Sequence, residues 1–501
     1  MSVMPSSGSA LEAGVLVVGA GPTGLVLACD LARQGVPFRL VDAAPQGFAG
    51  SRGKGLQPRT LEILEDLGVA GRALASGAPL PLMSSWRDGE MTAEWDMITR
   101  TGPTPDAPYG EPLMLPQWRT QEILRERLRE LGGRVEFGTR LTAVTQDADG
   151  VTARLETADG PAAEVRAAWL VASDGGRSTV RSLLGTPFTG HTVDPDPMLV
   201  ADVRLEGLPR THWHTWRDHP SGMLALCPLS ATDAFQLIAG FAAGEPDPSP
   251  DAVRALIAER TGLTAGAVDW SSVFRARAAM AERFREGRVF LAGDAAHVHS
   301  PAGAQGLNTG VQDAYNLGWK LGHVLRHGAP DALLDSYQAE RLPVAAEVLG
   351  FSTRIHRGTG QAGSKLMGHR GREAHQLDLH YRTGPLSRET RTGLPEGALR
   401  AGDRAPDAPC ATDGGQPVRL FDLFRGTHFT LLATGSAADA LEDAAETAGP
   451  PVRAPRVTDT EGHVERAYGD GLFVVRPDGY VGLATEDVAE VREYVAGFGK
   501  G

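Results

Sequence analysis

Gly19-Ala20-Gly21-Pro22-Thr23-Gly24 spaces its glycines as G-x-G-x-x-G, and Asp42 follows eighteen residues after Gly24. In such a turn the first glycine permits a tight bend, the second lets the backbone approach a pyrophosphate, and the third lets a helix pack on a strand. Gly19, Gly21, Thr23 and Gly24 are therefore read as a dinucleotide cradle. The helix N-terminus favours the negative charge, and the Asp42 carboxylate is placed to accept from a ribose hydroxyl. The turn by itself serves FAD and NAD alike. Asp174-Gly175-Gly176-Arg177-Ser178-Thr179-Val180-Arg181 makes a second acid–glycine turn. A third stretch runs from Gly293-Asp294-Ala295-Ala296-His297 through Ser300-Pro301-Ala302-Gly303-Ala304-Gln305-Gly306-Leu307-Asn308. Asp294 suits a sugar hydroxyl, the glycine-rich 302–306 admits a flat ring close to the backbone, and a helix opening at Asn308 points its positive end at that ring. His297 and His299 form an H-x-H pair, but no further ligand lies near them in sequence, so no metal site is expected.

The elements that must hold these residues are visible as periodic apolar runs. Val15 to Val18 reads as a buried strand, Thr23 to Gln34 as a helix stopped by Gly35, and Phe38 to Val41 as a second strand, which together make a βαβ opening. Val135 to Leu155 and Val165 to Ala172 read as strands, and Arg288 to Ala292 as another just before the third turn. Gln117 to Leu131 has helical spacing, with Ile123, Leu124, Leu128 and Leu131 on its apolar face. A long helix is expected from about Asn308 to Arg326. Residues 83–111, with prolines at 103, 105 and 108, read as an excursion into another layer. Residues 188–275 read as sheet, including Thr211–Trp216 and Phe235–Phe241. Alternation puts His212, His214 and Trp216 on one face and Trp213 on the other, and the three-residue face is the one expected to line a substrate pocket. Residues 354–398 turn basic and glycine-rich and read as a helix followed by a connector. Near 400 a separate small α/β unit begins, with a strand at 427–433 and a hairpin around Pro477-Asp478-Gly479. No internal repeat is present.

The bulk composition narrows the function classes. A chain of 501 residues exceeds one ordinary core, so two or three domains are expected. The net charge of -13 argues against nucleic acid as the main partner, since phosphate binding wants a basic face. Arg275, Arg277, Arg283, Arg285 and Arg288 are read as a solvated face. Cys29, Cys227 and Cys410 lie far apart without a C-x-x-C, so neither a disulfide framework nor zinc is expected. The first residues carry no basic start and no apolar run, and the longest apolar stretches have strand length. A cytoplasmic protein with no membrane partner is the expectation.

The three glycine–aspartate motifs, in this order, resemble those of the class A flavoprotein monooxygenases of the para-hydroxybenzoate hydroxylase type. Within that family the chain looks most like the bacterial aromatic polyketide and rifampicin hydroxylases with a thioredoxin-like C-terminal domain. The likeness spans nearly the whole chain. It implies an α/β fold with a Rossmann-like FAD-binding domain of 11–82, 112–187 and 276–390. It also implies an inserted mixed-sheet substrate domain of 83–111 and 188–275, and a thioredoxin-like domain of 400–501. FAD is the implied resident cofactor. NADPH or NADH is the implied transient reductant, in keeping with the single G-x-G-x-x-G. O2 and an aromatic, phenolic or polyketide-like small molecule are the implied reactants, joined through a flavin C4a-hydroperoxide.

Site residues carry over position by position. Asp294 is expected at the ribityl–pyrophosphate region, and Gly306, Leu307 and Asn308 at the isoalloxazine through their backbone. There a helix start would stabilise the anionic reduced ring. Asp174, with Gly175, is expected to serve FAD and NADPH, and Gln117 the flavin side. Arg52 and Pro301 are expected beside the reacting ring. Lys54 stands where relatives often carry a second Arg, which leaves open whether Arg52 or Lys54 touches the flavin. Asp42 replaces the commoner Glu and keeps the carboxylate. No catalytic acid or base is assigned. A Baeyer–Villiger or epoxidising enzyme on the same scaffold is the alternative, and a non-catalytic FAD-fold binding protein a remote one. A flavin halogenase is disfavoured, because the W-x-W-x-I-P signature is absent. A monomer or homodimer is expected.

Overall fold

The Val15–Val18 run is apolar on both sides, as a strand covered on both faces must be, and it forms the centre of a parallel sheet. In the computed structural model of the chain, residues 11–158, 160–193, 196–300, 304–357, 369–448 and 452–499 are described. The strand Ala13–Val18 pairs in parallel with Phe38–Val41 on one side and Ala163–Ala172 on the other. Val289–Leu291 and Val135–Glu136 extend the sheet in parallel at either end. Thr139–Gln146 and Val151–Thr157 form an antiparallel meander leading into Ala163–Ala172. The three glycine–aspartate motifs all leave the carboxyl ends of these parallel strands, where open α/β sheets bind ligands.

Helix Pro22–Arg33 packs on the long helix Gly306–His327. Their approach is close because Gly318 and Gly322 lie opposite Asp30 and Gln34. A Cβ at Gly318 would sit 2.2 Å from Asp30 Oδ2. Every residue of the long helix from Asn308 to His323 is buried, so it is a central rod and not a surface helix.

A second, seven-stranded sheet has the order Ala265–Phe274, Met198–Leu205, Ala234–Gly240, Leu224–Pro228, His212–Trp216, Leu82–Arg87, Glu90–Trp95. The pairing of His212–Trp216 with Leu82–Arg87 is parallel and its other pairings are antiparallel, so the sheet is mixed. The excursion after residue 82 thus adds two strands to the sheet formed by 198–274. Helix Pro250–Thr261 covers one face through Val253, Leu256 and Ile257, which pack with Leu226, Leu237 and Trp216.

The helix expected after 354 falls partly on 358–368, outside the described residues; among the described ones, helix Asp335–Arg357 runs into that stretch and 369–387 carry a single helical turn, Arg372–His375. The unit placed after 400 forms a sheet of its own. Its five-stranded sheet, Arg388–Glu389, Val481–Thr485, Gly471–Val475, Phe429–Thr434, Val452–Arg453, already begins at Arg388. Its core is also continuous with the long helix, where Trp319, Ala329 and Leu333 join Phe429, Leu431, Leu472, Val474 and Phe498 in one cluster. The Pro477-Asp478-Gly479 turn does close an antiparallel hairpin, with Gly479 at φ +73°. Among the described residues no helix is long and apolar enough to cross a membrane.

Candidate functional site

Each glycine of the first turn is required for a different reason. Gly19 adopts φ +103°, and a Cβ there would lie 2.3 Å from the Ser173 carbonyl oxygen. A Cβ at Gly24 would lie 2.0 Å from Gly19 O, so this glycine lets the helix sit on the turn. A Cβ at Gly21 meets no atom within 4 Å, so the bare backbone there faces open space, as close approach of a phosphate requires. Asp42 steadies the same turn: Ala20 N donates to its Oδ2 at 2.7 Å and Ala44 N to its Oδ1 at 2.8 Å.

The other two motifs close onto this turn. Ser173 Oγ donates to Val18 O and Gly19 O at 3.0 and 2.8 Å. Asp174 Oδ2 accepts from Thr179 N and Val180 N, while its buried Oδ1 has no hydrogen-bond partner among the described residues. Burial raises the Asp174 carboxyl above its ordinary range. Arg181 ties the second motif to the third, donating to Gly176 O and Ala295 O, each at 2.8 Å. Thr23 wedges between first and third: Cβ atoms built on Gly293 and Gly310 would lie 2.5 and 2.6 Å from its hydroxyl oxygen.

Asp294 is exposed to water, yet protein surrounds it so closely that burial raises its carboxyl, against the pull of His297 and Arg52. A side chain open to solvent but walled by protein lies in a recess. The start of the long helix faces the same recess: a Cβ on Gly306 would be 4.0 Å from Asp294 Oδ1, and no side chain caps this helix. Uncapped first-turn amides, an open glycine backbone at Gly21 and an orphaned Asp174 oxygen are what a dinucleotide with a flat, anionic head group needs. The residues present fit FAD.

The segment 51–57 links this recess to the second sheet. On the recess side Asn308 Nδ2 donates to Gly55 O at 3.0 Å, and Gln57 N donates to Asn308 Oδ1 at 2.8 Å. Leu307 packs near Gly53, where a Cβ would lie 3.0 Å from its Cδ1. Gln117 clamps the segment, its Oε1 accepting from Gly53 N at 3.1 Å and its own N donating to Gly53 O at 2.8 Å. On the sheet side Ser51 Oγ donates to Asp202 Oδ1, and Arg52 Nη2 donates to Ser272 Oγ at 3.0 Å. The Arg52 guanidinium lies over Phe48 and Trp270, 5.6 and 5.7 Å from their ring centres.

Two sequence expectations change here. Lys54, expected on the cofactor side, instead donates to Gln236 Oε1 and sits 4.1 Å from the centre of the Trp213 ring, both on the second sheet. The expected trio His212, His214 and Trp216 faces away from the recess. His214 is fully buried; its Nδ1 accepts from Trp86 Nε1 at 2.9 Å and its Nε2 donates to Pro209 O at 2.8 Å. Burial lowers its pKa, consistent with a neutral ring. Trp216 stacks on Trp86 at 6.0 Å beneath helix Pro250–Thr261, and His212 meets Glu94 at 2.6 Å. Alternation separates the two faces as expected, but it is the Trp213 face that looks toward Lys54.

His297 and His299 spend their nitrogens on the scaffold. His297 Nε2 lies 2.6 Å from Asp313 Oδ2, and His297 Nδ1 lies 2.9 Å from His299 Nε2. Asp313 also accepts from Gly293 N at 3.0 Å and from Arg341 Nε at 2.7 Å. Burial works against the Asp313 charge, but His297 and Arg341 outweigh it and hold the carboxyl far below its usual range. Sequence reading misses Asp313, Ser51, Asp202, Gln236 and Trp270, because none belongs to a spaced motif. Pro301 lies outside the described residues.

Fold and recess together define a flavin-binding α/β oxidoreductase. Residues 12–352 match the family model of the FAD binding domain, and residues 399–497 match that of the aromatic-ring hydroxylase C-terminal region. A flavin-dependent monooxygenase of Mycobacteroides abscessus is 44% identical over 493 residues, covering 96% of this chain and 99% of that protein. The 12-dehydrotetracycline 5-monooxygenase/anhydrotetracycline 6-monooxygenase of Streptomyces rimosus is 36% identical, covering 93% and 94%. The crystal structure of aklavinone-11 hydroxylase with FAD and aklavinone superposes with a TM-score of 0.83 at 31% identity, covering 97% of this chain and 99% of that one. The chain belongs to the FAD-binding aromatic-ring hydroxylases: it is an FAD-dependent monooxygenase.

Proposed function

We propose that this monooxygenase consumes NADPH or NADH and hydroxylates a planar phenolic molecule of the polyketide type. The observation that carries this reading is the two-sided 51–57 segment. It joins the cofactor recess at Asn308 to the sheet face bearing Trp213, so a ring lying along that face would meet the flavin. That face is apolar and adaptable: Met83, Met97, Met114, Met198 and Met223 cluster there with Trp213, Ile98 and Leu80. Methionine and tryptophan together favour broad, polarisable aromatic surfaces over small polar ones. Relatives named for tetracycline precursors and aklavinone support the same substrate class.

In this reading Gly19, Gly21, Gly24, Asp42, Asp174 and Asp294 hold the dinucleotide. The amides of Gly306, Leu307 and Asn308 face its flat head and favour negative charge there. Arg52, lying against the touching rings of Phe48 and Trp270, closes the recess toward the sheet. FAD held here would supply the activation of O2, the source of the transferred oxygen atom; the chain's residues bind, orient and exclude water. The test is NAD(P)H oxidation by the FAD-loaded protein, with and without a panel of planar phenols. The expected result is faster oxidation with at least one phenol; a rate that no aromatic changes would overturn the reading.

A further inference from the structure

Lys54 is a cation held among apolar side chains with no carboxylate in ion-pair range among the described residues. Its ammonium donates to Gln236 Oε1 and lies 4.1 Å from the Trp213 ring centre. Gln236 is fixed in turn, its Nε2 donating to Ser51 O and, at 3.0 Å, to Ser51 Oγ, which donates to Asp202. Ser51, Gln236 and Asp202 are each at most 4% exposed, so this support is rigid and dry. Burial pulls Lys54 below the ordinary lysine range. Cys227 and Asp202 oppose that shift, and the nearby Arg370 adds to it. The buried cluster to which Trp213 belongs holds five of the chain's ten methionines. A desolvated cation with no carboxylate in direct contact is costly, and a ligand that brings an anion to it lowers that cost.

We propose that Lys54 selects the substrate: it takes a phenolate or enolate oxygen of a planar aromatic that lies along Trp213 and the methionine wall. This rests on the hydroxylase reading above and narrows it to substrates with an acidic ring oxygen. An oxygen that arrives protonated gives its proton to solvent on binding. The Gln236–Ser51–Asp202 chain fixes the ammonium's position, and Trp213 holds its other side by cation–π attraction.

The test uses the FAD-loaded protein with two dyes: 1,2-dihydroxyanthraquinone, whose visible spectrum changes on ionisation, and its dimethyl ether, which cannot ionise. Binding and spectra are followed from pH 5 to 9 in wild type, Lys54→Met and Lys54→Arg, with FAD content measured for each. In wild type the bound dye should ionise about one to three pH units below the free dye. It should also bind at least about tenfold tighter than the ether near neutrality. Lys54→Arg should keep this preference, and Lys54→Met should erase it while retaining FAD. Equal binding of dye and ether, an unshifted spectrum, failure of the dye to bind, or a preference that survives Lys54→Met would overturn the proposal. So would loss of FAD from Lys54→Met with the preference intact, which would return Lys54 to the cofactor. The wild-type titration decides the matter if Lys54→Met fails to fold. Equal binding with retained phenol-stimulated NADPH oxidation removes the selecting cation and leaves the hydroxylase.

Discussion

Asp294 combines exposure to water with a carboxyl raised by its surroundings, and the recess explains both. A carboxylate there accepts hydrogen bonds from a ligand's hydroxyls without having to leave a protein partner first. Hydrogen bonds to a charged group contribute roughly 1.5–3 kcal/mol each. Asp294→Ala is therefore expected to weaken FAD retention by at least about tenfold, measured as bound flavin absorbance after extensive dialysis, while the melting temperature of the FAD-free protein changes little. Unchanged occupancy would remove Asp294 from the cofactor site. His299 sits beside the same recess in a neutral state enforced by burial and by His297. The H-x-H pair thus reads as scaffold for the third turn, anchored through Asp313 to Arg341 and Gly293.

Among the elements, the hairpin Gly471–Val475/Val481–Thr485 carries the largest electrostatic commitment. Arg476 Nη1 and Nη2 reach Glu340 at 2.6 and 2.9 Å, and Lys320 Nζ reaches it at 2.7 Å, all three side chains fully buried. This cluster bolts the hairpin to the long helix and to Asp335–Arg357. Burial would raise the Glu340 carboxyl, but Arg476 and Lys320 outweigh it and hold it at about 2. A depressed carboxyl contributes stability that is complete above its unfolded value and is lost as pH falls toward 2. The docked hairpin should therefore loosen between about pH 5 and 2, seen as falling amide protection factors at residues 471–485 once the intrinsic pH dependence of exchange is divided out. Glu340→Gln, which leaves two buried cations underpaired, is expected to cost about 3–5 kcal/mol in denaturant unfolding; a cost below about 1 kcal/mol, typical of exposed pairs, would contradict this assignment.

The same scale shows what a sequence can and cannot disclose. The strands at Val15–Val18 and Phe38–Val41, the helix opening at Gln117 and the Pro477-Asp478-Gly479 turn are legible because local residue chemistry dictates them. Alternation also divides the 212–216 strand into two faces. It does not say which face helix Pro250–Thr261 covers, because that depends on a chain segment forty residues away. For the same reason the resemblance leaves open whether Arg52 or Lys54 touches the flavin, whereas Gln236 and Trp213 draw Lys54 across to the other sheet. The basic stretch after 354 lacks apolar period, and the helix before it, Asp335–Arg357, has mixed faces that blur the signal.

At the scale of the whole molecule, one buried rod organises everything. The N-terminal end of Gly306–His327 faces the recess, its middle packs on Pro22–Arg33, and Trp319 and His323 near its C-terminal end enter the core of the last sheet. Cofactor recess, aromatic-lined sheet and C-terminal unit are thus referred to a common axis. The Glu62–Arg404 pair at 2.7 Å and Arg59 donating to Asp478 O at 2.7 Å add further ties across it. The C-terminal unit therefore buttresses the helix whose first turn faces the recess. The net charge of -13 leaves the recess to supply its own positive potential through the helix start and Arg52. The most direct test of the whole account is isotopic. FAD-loaded protein, NADPH and ¹⁸O2 are incubated with planar phenols, and the products are weighed by mass spectrometry. The account predicts one ¹⁸O atom in the ring of at least one phenol, with the second oxygen leaving as water. NADPH consumption that yields only hydrogen peroxide with every phenol, and no labelled product, would contradict it.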